Sequence, residues 1–340
     1  MGAGKTADVA LQRPALTLTG GLALCLVALA FGAVMIGPFG LTPGQTVAAL
    51  IGRGDQQAAI VVWNIRLPRV AAALLVGAAL AAAGATYQAL FRNPLVSPDI
   101  LGVSAGAGLG AVAGIFLSLP VAAIQVSAFI GGMVAVGFVM LVASLVQNTD
   151  RTLTLVLVGV VIGALAGAAT SLLKVMADPY DQLPAITFWL LGSLAATTIH
   201  DILPALPMVL IGLVPLILLR WRINVLSLGD EEARALGVEV ARTRFLVIVA
   251  ATLITASVTA VAGVVGWVGL VIPHIARMLV GPGFARLLPT SALIGAGYLL
   301  IVDTLARTLA QVEVPLGILT AVIGAPFFVW LLARGRRGWS

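Results

Sequence analysis

The chain has 340 residues, of which 61% are hydrophobic and only 9% charged, against roughly 45–50% apolar and about 25% charged in an ordinary soluble domain. Too little charge remains to cover a water-exposed surface, so a soluble enzyme and a disordered chain are excluded and a polytopic membrane protein remains. The single cysteine, Cys25, excludes a disulfide framework or a cysteine-based metal site, and the net charge of +6 is a record of orientation before it is a sign of an acidic partner.

Apolar runs bounded by charge, proline or polar clusters predict spans at 16–36, 70–91, 102–119, 121–146, 152–174, 200–219, 245–264, 266–280, 288–308 and 315–333. The runs are long and continuously apolar, so about ten helices are expected in place of the alternating strands of a barrel. The fold class is therefore all-α, one transmembrane domain over 1–340 with a tail at 1–15 and a polar segment at 221–243. With the N-terminus inside, fourteen of the nineteen basic residues fall on the cytoplasmic side, leaving Arg53, Arg66, Arg69, Lys174 and Arg307 outside. An even number of spans returns the C-terminus to the cytoplasm as well. The first run has the basic flank of a cleavable signal and an Ala28-Leu29-Ala30 site. It is longer than a signal core, and its loss would invert the charge bias, so it is read as a retained span. Gly2-Ala3-Gly4-Lys5-Thr6 lacks the spacer, first glycine and preceding strand of a phosphate loop and is read as a solvated tail.

Glycine recurs every four residues at Gly102, Gly106, Gly110 and Gly114 in the third span and at Gly159, Gly163 and Gly167 in the fifth. Such ridges let helix backbones approach where lipid supplies no hydrophobic drive; a sliding pore lining is the functional alternative, and spacing alone does not choose. The most polar interior stretch, between the sixth and seventh spans, contains Leu228-Gly229-Asp230-Glu231-Glu232-Ala233-Arg234-Ala235-Leu236-Gly237. It reads as a short helix with Asp230 capping its first amides and Gly237 stopping it. Too short to stand alone, it needs a surface for the side carrying Ala233 and Leu236, either in this chain or on a cytoplasmic partner.

Several ordered motifs resemble one family. Arg66-Leu67-Pro68-Arg69, Gly77, Gly84, Gln88, Asn93-Pro94-Leu95, Pro98 and Leu101-Gly102-Val103-Ser104 with Gly106 are similar to the opening signature of FecCD-type permeases. Phe188–Ser193, the 228–237 helix, Gly269–Arg277, Pro315-Leu316-Gly317 and Gly324–Phe328 continue the match over nearly the whole chain after the first span. These permeases are the membrane subunits of type II ABC importers for iron–siderophores, haem and cobalamin. The resemblance implies ten spans with both ends inside a bacterial cytoplasmic (inner) membrane, and a second permease copy, identical or similar, meeting the first along the translocation path. It also implies two ATP-binding cassette subunits below and an extracytoplasmic binding protein above, with no nucleic-acid partner. ATP and Mg belong on the partner ATPase; no phosphate loop occurs in this chain, which is read as a transport subunit and not an enzyme, with no cofactor or metal of its own.

The same resemblance assigns roles. Leu228, Gly229, Asp230, Glu232, Ala233, Leu236 and Gly237 become an ATPase-coupling helix, with Ala233 and Gly237 permitting close approach. Arg66, Arg69 and Arg307, at outer span ends against the orientation rule, become docking charges for the binding protein; snorkelling, or pairing of Arg307 with Asp303 or Glu313, is the plainer alternative. Asn93 and Leu95, in a turn whose two prolines forbid a continuous helix, and Asn148 and Thr149 become cytoplasmic gate residues, with simple helix turns as the alternative. Trp189, in the 183–194 segment, lines the mouth of the path or anchors at the interface, and Gly159, Gly163 and Gly167 line the path.

His274 beside Pro273, with His200 at the opposite face, cannot make a metal site without further ligands, so iron, if it is the cargo, crosses wrapped in an organic ligand. A secondary transporter would need ionisable coordination near the midplane. Every carboxylate here falls near a loop or span end, Asp303 being the deepest, which favours the importer.

Overall fold

The computed structural model describes residues 3–146 and 151–335, which form helices and their connecting turns with no strand among the described residues. In chain order the helices are α1 (Ala3–Met35), α2 (Pro43–Leu50), α3 (Gln56–Ile60), α4 (Leu67–Leu90), α5 (Val103–Phe116), α6 (Val121–Leu145), α7 (Arg151–Met176), α8 (Gln182–Leu191), α9 (Ile199–Leu218), α10 (Arg220–Leu226), α11 (Asp230–Ala235), α12 (Val240–Ala262), α13 (Val268–Val280), α14 (Phe284–Ala306) and α15 (Leu316–Gly335). Seven stretches are long and apolar enough to cross a membrane, and α5, α8, α13 and part of α15 are shorter apolar helices. The expected runs at 102–119, 266–280 and 315–333 are thus among the shorter ones.

Two boundaries differ from the sequence reading. Helix α1 begins at Ala3, inside the stretch expected as a tail. The second span begins at Gln56, because a π-helical turn at Val61–Arg66 joins α3 to α4 without a break. Arg66 and Arg69 look like loop charges in the sequence, yet both lie within helical backbone and are buried. Pro68 stands in the first turn of α4, where its missing N–H costs nothing.

Helix α4 is the centre of the bundle. Of the most apolar stretch in Gln56–Leu90, 78% is buried within the chain, against 22% in Thr152–Met176 of α7. Its alanines and glycines put it in backbone contact with two neighbours: a Cβ on Gly77 would overlap the Gly295 carbonyl of α14, and one on Gly84 would overlap the Gly269 carbonyl of α13. The glycine ridge of α5 packs likewise on α6, with Gly106 against Gly131 and Ala135 and Gly110 against the Ser127 carbonyl. Close packing is therefore what that ridge does. Between α12 and α13 the chain leaves the helix at Gly263–Trp267, with Gly263 and Trp267 both at φ 70°. The break lies ahead of Pro273, which α13 carries inside its helix.

Candidate functional site

At one end of the bundle α10 and α11 connect α9 to α12. Ile223, Val225 and Leu226 of α10 are buried, and Phe284 N–H at the start of α14 donates to Asn224 Oδ1 (3.2 Å). Helix α11 has six residues and is held by its own end and by its neighbours. Gly237 takes φ 79°, its N–H reaches the Arg234 carbonyl (2.9 Å) and the Val238 N–H reaches the Ala233 carbonyl (2.9 Å). This paired closure is the Schellman stop, and its customary apolar contact is supplied by Ala233 and Val238, both in the core. Gly237 ends the helix as the sequence indicates.

The remainder of the segment departs from expectation in two ways. Ala233 is 0% exposed and packs into this chain, while Leu236 is 53% and Leu228 63% exposed. Residues three apart on a regular helix share a face, but Leu236 is already the C-cap and has turned away. Ala233 is thus the anchor to this chain; Leu228 and Leu236, beside exposed Glu231, Glu232 and Arg234, form the free side. Nor does Asp230 cap: no side chain caps α11, whose N-cap is Gly229 at φ 151°. Both Asp230 carboxylate oxygens instead accept from Nη2 of Arg244 on α12, at 2.8 and 3.1 Å. Glu232 folds back over Gly229, filling the space a Cβ would need.

Close by is the turn after α4. Asn93 Oδ1 accepts from the Leu95 N–H (2.9 Å), and Asn93 N–H donates to the Gln88 carbonyl (3.2 Å). Pro94 and half-exposed Leu95 border a small cavity with Leu270, Val271, His274, Phe327 and Phe328. Gln88, buried on α4, donates from Nε2 to the Leu270 carbonyl (3.1 Å) and accepts from Arg277 Nη2 (3.0 Å), a polar node joining α4 to α13. Asn148 and Thr149 lie outside the described residues.

At the other end stand the three arginines, and all are inside: Arg66 is 2%, Arg69 7% and Arg307 7% exposed. Arg69 spans two carboxylates, donating from Nε to Asp303 (2.9 Å) and from Nη1 to Glu313 (3.0 Å), with Nη2 also on Glu313. Arg307 Nη2 donates to the Ala33 carbonyl (2.7 Å), with Nε 3.7 Å from Asp303. Arg66 Nη1 donates to the carbonyls of Val34 (2.9 Å) and Met35 (3.2 Å), tying the end of α1 to the turn before α4. The docking surface read from the sequence is not formed by these side chains here. A charge surrounded by apolar helices must be paired or hydrogen-bonded, and Asp303, Glu313 and the frayed carbonyls of α1 satisfy most of that need from within. The plainer alternative, pairing of Arg307 with Asp303, is the arrangement present.

The expected path residues separate. Gly159 is buried against the Ile100 carbonyl, where a Cβ would overlap it, so it packs and does not line. Gly163 and Gly167 have nothing within 4 Å of a Cβ position. Trp189 is half-buried against Ala107, Ala111, Ala128 and Ala260 on one side and Val112 and Ile186 on the other, a packing residue within this chain. No group of three or more His, Cys, Asp or Glu able to hold a metal ion occurs among the described residues.

Glycine-sealed apolar helices, with buried charge at one end and a short segment with exposed leucines at the other, define a multi-pass membrane protein. The chain belongs to the FecCD transport family, matched over residues 24–334, and is a permease subunit of an ABC importer. It is 40% identical to the molybdate import system permease protein MolB of Haemophilus influenzae, covering 94% of this chain and 96% of that one. A Helicobacter pylori permease protein named for an iron chelatin transport system is 43% identical, with 82% and 83% covered. A solved structure described as an inward-facing conformation of a metal-chelate type ABC transporter is 39% identical with TM-score 0.86, covering 94% of this chain and 99% of that one.

Proposed function

We propose that this chain is the permease of an ATP-driven importer whose cargo is a ferric siderophore, received from a binding protein and passed between two permease copies by alternating access. The observation that carries the mechanism is the division of α11: Ala233 fixes it to the bundle while Leu228 and Leu236 stay bare. A short helix flanked by exposed leucines is suited to a groove on a partner, and ATP-binding subunits are the partners such a family uses. Movement there would shift α12 and its packed neighbours as rigid bodies, opening one end as the other closes. On this reading the seven long apolar stretches are joined by α5, α13 and α15 as shorter crossings, ten in all, and the arginine bias then puts both termini and α11 in the cytoplasm of a bacterial inner membrane.

The Cβ directions of Gly163 and Gly167 are open, and with the exposed Val160 and Leu165 beside them they make a surface suited to the second copy and the path between the copies. Asn93, Pro94 and Leu95 with Phe327 and Phe328 are the inner gate on this reading, to which the resemblance adds Asn148 and Thr149. Hydrolysis, with its ATP and Mg, belongs to the partner. The ferric-siderophore reading draws on the relative named for iron chelatin transport and on apolar, glycine-faced helix surfaces that suit a bulky, weakly held cargo. Cobalamin or haem is the second reading, favoured by the same apolar surfaces. The test is uptake into liposomes holding the permease with its ATP-binding and binding-protein partners, using labelled ferric siderophores, cobalamin, haemin and molybdate. ATP-dependent uptake of a ferric siderophore is expected; ATP-dependent uptake of another panel member alone would replace the cargo, and uptake driven by an ion gradient without the ATPase would overturn the mechanism.

A further inference from the structure

Helix α11 is too short to keep its own orientation, and apart from the buried Ala233 its side-chain tie to the bundle is the carboxylate of its first residue. Asp230 is the first residue of α11, one past the N-cap Gly229, and its carboxylate makes no bond to the helix's own free amides but is held by Arg244 of α12. The Arg244 side chain is 8% exposed, whereas the neighbouring Glu239–Arg242 pair, 3.8 Å apart, is 72–73% exposed and dispensable by comparison.

Arg244 lies one turn into α12, a helix 72% buried over its most apolar stretch. Two turns further on, Thr252 shares a hydrogen bond of 2.9 Å with the hydroxyl of buried Tyr87 on α4. The next residue of α4, Gln88, holds Arg277 of α13. Polar side chains on these apolar helices thus connect α11 to α12, α12 to α4 and α4 to α13.

We propose that the Asp230–Arg244 pair is the strut that transmits motion of the coupling segment to α12, with Arg244 a positioning residue for the coupling of ATP hydrolysis to transport. The inference rests on the coupling role given to α11 above. A strut of this kind does not bind the ATPase; it sets what the bundle does once the ATPase moves. Its loss separates three quantities that a general packing defect would lower together: capture of the ATP-binding subunits, basal ATP hydrolysis by the complex, and substrate moved per ATP.

The experiment is a double-mutant cycle with Asp230→Asn, Arg244→Gln and the combined variant, in complexes that elute as single species. The three quantities are measured with whichever panel member the wild type transports. For Arg244→Gln, whose side chain belongs to α12 and not to the coupling segment, capture and basal hydrolysis are expected within about twofold of wild type, while each single change lowers substrate moved per ATP about tenfold. The combined variant should be no lower than the worse single, because a pair acting as a unit is lost only once. Should Arg244→Gln fail to fold, Arg244→Lys, which keeps the charge but not the guanidinium geometry, takes its place. The strut is overturned if the single variants transport within twofold of wild type, or if the combined loss is the product of the single losses. Failure of the wild type to capture any ATP-binding subunit would instead count against the coupling role itself, and the strut would fall with it.

Discussion

Helices α4 and α7 are both apolar and both carry spaced glycines, and the structure uses them in opposite ways. In α4, Gly77 and Gly84 lie in backbone contact with α14 and α13, and no side chain fits at either. In α7, Gly159 meets the Ile100 carbonyl, but Gly163 and Gly167, one and two turns on, face open space, and large apolar residues such as Leu157, Val160 and Leu165 are exposed alongside. A glycine ridge records that something comes close. In α4 that something fills the space at each glycine; in α7 the chain closes on Gly159 and passes Gly163 at Gly102, but leaves the Cβ directions of Gly163 and Gly167 open.

The sharpest way to break this contrast is at the buried charges where α4 meets α14. Asp303→Ala leaves the guanidinia of Arg69 and Arg307 short of a counter-charge, and removing one partner of a buried pair costs about 3–5 kcal/mol. We expect little monodisperse protein, read by fluorescence-detected size exclusion; wild-type yield and thermal stability would show that the cluster is not structural. A smaller loss, about 1–3 kcal/mol by overpacking, is expected for Gly84→Val, measured as thermal unfolding in detergent. Gly237→Ala should cost roughly 1–2 kcal/mol, because only a left-handed residue closes α11 there. Its effect should centre on the segment between α10 and α12, with proteolysis between residues 228 and 238 accelerated before the bundle melts. Least of all, Gly167→Ala should stay within about 0.5 kcal/mol of wild type. If it destabilised the isolated permease as Gly84→Val does, the two helices would not differ as described.

Much of this was legible in the sequence because it rests on local physics. Continuous apolar runs require helices that satisfy their own backbone, glycine every fourth residue in α5 suggested close packing with a pore lining as the alternative, and Gly237 after an acidic-to-basic turn marked a helix end. The errors share a cause. Arg66 and Arg69 read as surface charges because their partners are distant in sequence, Asp303 standing 234 residues from Arg69, whereas the nearby Asp303 partner of Arg307 was legible as the alternative. Asp230 read as a cap because acidic residues commonly start helices; the helix begins at Asp230 itself, one residue past the cap position at Gly229, and the fold supplies Arg244 as the carboxylate's partner. Gln88 and Arg277, 189 residues apart, were visible as motif members but not as partners. Ala233 and Leu236 were put on one face by a periodicity that the C-cap had already ended.

The central claim is that work enters this permease at the end of the bundle where α11 leaves Leu228 and Leu236 bare. It is tested most directly by co-purification of the ATP-binding subunits with wild-type permease and with a Leu228→Glu/Leu236→Glu variant. Both leucines are more than half exposed, so the variant should fold and elute as the wild type does. The account predicts that wild type carries the ATP-binding subunits through purification and that the variant loses them. A folded variant that retains them at the wild-type ratio would contradict it.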